Sequence, residues 1–126
     1  MEKKIIATAN APAPIGPYSQ AVMAGGFLFL SGQIAINPVT SQVIAGSVAD
    51  ETRQVMRNIK AVLQVYGMDY EHIIKTTIFL KDMNDFGSVN EVYGTHFKDT
   101  YPARETVEVA RLPKDVKVEI SVIAAL

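Results

Sequence analysis

Residues 101–122 read YPARETVEVARLPKDVKVEISV, and the way this stretch alternates decides the fold. It predicts two strands, 104–111 and 116–123, whose apolar faces are rich in β-branched residues: Val107 and Val109 in the first, Val116, Val118, Ile120 and Val122 in the second. Lys117, Glu119 and Ser121 fall on the other face of the second run, and Arg104, Thr106 and Glu108 share a face of the first. Arg104 opens its strand just after Pro102. A guanidinium at a strand end can fork onto a small carboxylate, and a carboxylate on a neighbouring strand can hold or deprotonate a water. A surface Arg and a surface Glu on a two-faced sheet would give the same pattern. Taken alone, the stretch favours that plainer reading.

Working outward, the chain has 126 residues, of which 48% are hydrophobic, enough for one domain with a real core. The formal net charge is −1, with no block of like charge. That argues against a nucleic-acid partner and against a polybasic membrane surface. The absence of Cys excludes disulfides, thiolate catalysis and Cys-bound metals. The start, MEKKIIATANAP, has no signal-like apolar stretch, and no run reaches membrane-spanning length. The expectation is a soluble, cytoplasmic protein.

Towards the N-terminus, residues 4–7 read as an edge strand and 10–17 as a packed, proline-broken segment. Residues 18–23 and 27–30 read as strands joined by a Gly25-Gly26 turn. The second of these, FLFL, is apolar on both faces. It runs into Ser31-Gly32-Gln33, where the glycine implies close approach of the backbone to something. Residues 37–46 read as loop. A helix over 47–66 is marked by a Ser47/Asp50 capping box, by the stripe Val55, Ile59, Val62, Leu63 and Tyr66, and by Gly67 beyond its end. A strand, IIKTTIFL, lies within 70–80, and a second helix is predicted over 85–98. Phe86, Val89, Tyr93 and Phe97 mark its buried face, Asn90 lies on the same side, and Gly94 suggests close packing. The order predicts α+β: a single sheet with both helices on one face. The other face also carries apolar residues and must be buried, most simply by further copies of the chain in a closed homo-oligomer.

The pattern excludes several chemistries. His72 and His96 have no HxH or HExxH spacing, so no metal site is expected. Ser31-Gly32 only echoes a nucleophile turn, and there is no GxSxG, P-loop or GxGxxG. What remains is Arg104 with Glu119, and Tyr18, Ser31 and Asn90 as polar residues beside apolar runs. Residues alone lead to a small-ligand binder or a cofactor-free enzyme.

IGPYSQ at 15–20, SGQI at 31–34, KTTIFLKDMNDF at 75–86, PAR at 102–104 and VEVARLPKDVKVEI at 107–120 resemble the RidA/YjgF/UK114 family over essentially the whole chain. The resemblance implies one RidA-like domain over residues 1–126, a single mixed sheet with two helices on one face as in the Bacillus chorismate mutase-like fold, and a homotrimer with sites between subunits. It implies a cofactor-independent enamine/imine deaminase with no metal. Such an enzyme hydrolyses 2-iminopropanoate and 2-iminobutanoate, formed from 2-aminoacrylate and 2-aminocrotonate, to 2-oxo acids and ammonia. The source reactions would be PLP-dependent serine and threonine dehydratases. By the resemblance Arg104 anchors the substrate carboxylate and Glu119 activates water. Tyr18, Ser31 and Asn90 orient the substrate, and the Gly32 and Thr106 backbones add contacts. Glu105-Thr106 stands where many members have Ser-Cys; alternation turns Glu105 to the other face, so activity should survive. Two other readings accompany this one: a non-enzymatic regulatory trimer binding small carboxylates, and an endoribonuclease or translation inhibitor, which the charge pattern does not favour.

Overall fold

The computed structural model describes residues 1–126. Strands β1 (Lys3–Ile6), β2 (Ala21–Ala24), β3 (Phe27–Leu30), β6 (Ile73–Leu80), β7 (Ala103–Glu108) and β8 (Val118–Ala125) form one sheet in the order β1-β2-β3-β8-β6-β7. All neighbours are antiparallel except β6 and β7, which makes the sheet mixed. A two-stranded hairpin, β4 (Ile36–Asn37) with β5 (Gln42–Val43), stands apart from it. It occupies part of the region expected to be loop; Asn37 Oδ1 accepts from the Val39 and Thr40 amides and so closes a turn that composition alone does not distinguish from loop. Tyr18–Gln20, expected to begin β2, stay outside the strand.

The two helices are α1 (Val48–Val65) and α2 (Phe86–Gly94). α1 starts as its sequence dictates: Ser47 Oγ accepts from the Asp50 amide at 3.2 Å and Asp50 Oδ2 accepts from the Ser47 amide at 3.1 Å. Its stripe of Val55, Ile59, Val62 and Leu63 packs on Leu28, Ile78, Leu80, Val118 and Ile120 of the sheet. α2 is shorter than expected. Thr95 Oγ1 donates to the Val92 carbonyl at 2.6 Å and the chain leaves the helix there. Gly94 permits no close contact, for a Cβ built on it would meet nothing within 4 Å.

Alternation sorts every strand. Val118, Ile120 and Val122 of β8 and Thr76, Ile78 and Leu80 of β6 are buried beneath the helices. Phe27, Phe29 and Val107 lie on the opposite, open face, each more than two-fifths exposed. Gly25 and Gly26, at φ 58° and 82°, form the two-residue β2–β3 turn. The strands of residues 101–122 are not neighbours: β6 lies between β7 and β8. β7 ends at Glu108, and the connection to β8 is held by a fork from Arg111 to Asp115, at 2.7 and 3.2 Å. No helix is long and apolar enough to cross a membrane.

Candidate functional site

The sequence-predicted residues fall into two groups, one on each side of the sheet. Arg104 pairs with Thr76 across β6–β7 and therefore lies on the helix face, at the sheet edge. Its guanidinium carbon sits 5.2 Å from the Tyr93 ring centroid and 5.6 Å from that of Phe86, both on α2. Aromatic faces attract a cation and leave its in-plane N–H groups free. Arg104 forms no ion pair in the chain. Tyr93 is fixed by a hydrogen bond from its hydroxyl to Thr76 Oγ1 at 2.9 Å; burial is the main cause that pushes its pKa up, opposed by Thr76 and Arg104. Asn90 is half-buried and, by helical spacing, lies between Phe86 and Tyr93 on the same side of α2. Thr106 follows on the same face of β7, and its Oγ1 is buried without a hydrogen-bond partner. Glu105 turns to the open face, as alternation implies. There it accepts from Thr77 at 2.8 Å and pairs with Lys75 at 2.9 Å, well away from the guanidinium.

Tyr18, Ser31, Gly32 and Glu119 make the second group. Glu119 pairs with Phe79 on the open face of β8. It is half-buried, and burial alone raises its pKa above the ordinary glutamate value. Its side chain folds over Gly32, where a Cβ would lie 2.8 Å from Glu119 Cδ. This is the close approach that the glycine signalled. Gln33 fixes the pairing: its amide donates to the Ile120 carbonyl at 2.8 Å, and the Ile120 amide returns a bond at 3.1 Å. Ser31 Oγ donates to the Ser19 carbonyl at 2.6 Å, so its proton is committed to structure and the residue is not a base-activated nucleophile. Tyr18 is half exposed and shares with Gly32 a cleft of about 30 Å³, room for water but not for an organic acid.

The sequence leaves open whether the strands of Arg104 and Glu119 adjoin, and in the structure they do not. The two residues flank β6, their partners on it are Thr76 and Phe79, and they point to opposite faces. Ordinary strand rise and spacing put their Cα atoms about 14 Å apart. A single chain therefore does not bring the two groups together. The two larger clefts lie elsewhere, among the helices: one of about 340 Å³ lined by Arg53, Arg57 and Glu91, and one of about 470 Å³ beside Lys60 and Tyr70. The stacking of Arg104 on Phe86 and Tyr93 was not foreseen. Both aromatics read as ordinary core positions, and the only hint was their i, i+7 spacing facing a strand that arrives from elsewhere in the chain.

Comparison with known proteins covers nearly all of the chain. A family model described as Endoribonuclease L-PSP matches residues 8–126. The chain is 56% identical over 122 residues to a RutC family protein of Pyrococcus horikoshii, covering 97% of each. It is 45% identical over 122 residues to the 2-iminobutanoate/2-iminopropanoate deaminase of Mus musculus, covering 97% of this chain and 90% of that one. The crystal structure of E. coli TdcF with bound serine superposes with a TM-score of 0.92 at 47% identity, covering 98% of both chains.

Proposed function

The chain belongs to the RidA/YjgF family, and on that premise we propose that it is an imine deaminase, hydrolysing small 2-imino acids such as 2-iminopropanoate and 2-iminobutanoate to 2-oxo acids and ammonia. The observation that carries this reading is Arg104: a permanent cation held on two aromatic rings, with no carboxylate of its own chain to neutralise it. Its fork suits a substrate carboxylate. Water adds to the C=N carbon while Glu119 takes a proton from it, forming the C–O bond and moving the π electrons onto nitrogen. Glu119 then returns that proton to nitrogen, giving a carbinolamine; it next takes the hydroxyl proton and passes it to the amino nitrogen, so that the C–N bond breaks, ammonia leaves and the C=O bond forms. Glu119 has the surroundings for both steps, since partial burial lets it hold a proton more readily than an exposed carboxylate does. Tyr18, Ser31 and Asn90 orient the substrate, with the Gly32 and Thr106 backbones beside them. The carbon of an imine is already electrophilic, so the scheme calls on no cofactor. Dehydratases that release 2-aminoacrylate or 2-aminocrotonate would supply the substrate.

The two groups of residues act on one small acid only if Arg104 of one copy meets Glu119 of another. The apolar open face supports such an assembly, and a homotrimer with a site at each subunit boundary is the form we infer. In this reading residues 1–126 act as one RidA-like unit.

The test is to generate 2-aminoacrylate with a serine or threonine dehydratase and follow release of the oxo acid. The wild-type chain accelerates it and Arg104→Ala does not; equal rates would sink the proposal. The TdcF structure with bound serine favours one second reading, a carboxylate-binding regulatory protein. Binding of serine or 2-oxobutanoate with no acceleration of imine decay would select it.

A further inference from the structure

We propose that Asn58, on α1, is a positioning residue for this reaction: its carboxamide holds the 32–36 segment in place and so sets where Gly32 meets Glu119. The proposal rests on the deaminase reading and extends it to a residue that touches no substrate. Asn58 is 1% exposed, and all of its identified bonds run in one direction. Nδ2 donates to the Ile34 carbonyl at 3.2 Å and to the Ile36 carbonyl at 3.0 Å. Oδ1 accepts from Gln54 Nε2 at 2.9 Å, and Gln54 Oε1 accepts from Arg57 at 3.1 Å. An asparagine amide has two N–H groups, and both are used. Flipping it would turn its oxygen onto two carbonyls and its N–H groups onto Gln54, so Gln54 and Arg57 fix its orientation.

The two carbonyls converge because the Ile36 amide bonds back to the Ile34 carbonyl at 2.8 Å. On its other side the same segment exchanges two backbone bonds with Ile120, next to Glu119. Gly32 is therefore placed by two clamps, one from β8 and one from α1. Only the first belongs to the sheet. An apolar residue could fill the Asn58 position at less desolvation cost, yet a relay of polar groups occupies it. Buried networks of this kind rigidify what they touch when every member is paired. The segment they rigidify here is the wall against which the Glu119 carboxylate lies.

Two variants test the role. Asn58→Asp keeps the shape and removes both donors. Gln54→Met keeps the volume and the Asn58 donors but removes the partner that orients them, and it decides the matter should Asn58→Asp not fold. The readouts are kcat and KM for imine hydrolysis, together with amide hydrogen exchange. In each folded variant kcat should fall about 10-fold or more while KM stays within about 2-fold, because the wall moves and the Arg104 anchor does not. Exchange at the Gln33 and Ile36 amides should speed about 10-fold with Ile78 unchanged, marking local rather than global loosening. Unchanged kcat, or exchange that quickens equally at Ile78, overturns the proposal. A wild-type protein with no deaminase activity overturns the underlying reading instead, and the positioning role falls with it.

Discussion

Glu119 has no ion pair and no hydrogen bond to steady its charge; burial alone acts on its pKa. The unfolded chain releases this proton near the ordinary carboxylate value, and the folded chain holds it further up the scale. Across that window the folded state binds more protons, so this residue's effect on stability turns unfavourable as pH rises and stays so above it. Glu119→Gln removes the effect. The variant should therefore melt higher than wild type at about pH 7, with the gain vanishing below about pH 4, while hydrolysis is lost; a calorimetric pH series checks the first part and the dehydratase-coupled assay the second. In the proposed reaction it is ionised Glu119 that takes the proton from water, so wild-type kcat/KM should rise with pH through the same window. Gly32 carries a matching prediction. Its backbone is not in the left-handed region, so alanine fits the chain, but the new methyl would displace the Glu119 carboxylate. Gly32→Ala should stay folded and lose roughly 100-fold in kcat, with KM little changed, as steady-state kinetics would show. The residue types on which the proposed chemistry rests stand out in the sequence. Their partition does not, because which face Arg104 occupies depends on pairing with β6, a strand set by distant contacts.

At the scale of elements, α1 was readable almost to the residue because its signals are local: a cap, a stripe and a terminal glycine all agree. The Ser47–Asp50 box is exposed and reciprocal. Ser47→Ala should cost about 1 kcal/mol, which for a chain of this size lowers the melting point by about 3–5 °C; thermal denaturation followed by circular dichroism measures it, and activity at 25 °C should be unaltered. The β2–β3 hairpin was legible for the same reason, since Gly25-Gly26 dictates a tight turn. The elements misjudged were those whose ends are decided by one or two local hydrogen bonds. Thr95 closes α2 early, and Asn37 turns an apparent loop into the β4–β5 hairpin. At the end of β7, the Val109 amide bonds back to Leu80 and the chain departs for the Arg111–Asp115 turn. Composition carries no trace of such choices.

For the whole molecule the decisive fact is that the sheet separates Arg104 from Glu119, which the proposed reaction needs together. Phe27, Phe29, Val107 and Ile5 line an open face that a lone chain leaves in water. Covering it with copies of the same chain would bury that surface and bring Arg104 of one subunit towards Glu119 of the next. A site shared in this way has a signature that no single-chain site can mimic. Arg104→Ala and Glu119→Gln should each be inactive alone. When the two variants are unfolded together and refolded in equal amounts, a boundary works only if its Arg104 comes from the second variant and its Glu119 from the first. Random association therefore restores about a quarter of the boundaries in a cyclic assembly, and activity should return to that level, in a species sedimenting as an oligomer. Phe29→Glu placed in both variants puts a charge on the open face and should abolish the recovery along with the oligomer. Mixtures that stay inactive while sedimenting as mixed oligomers would show that both residues serve a site within one chain, or that one of them serves none.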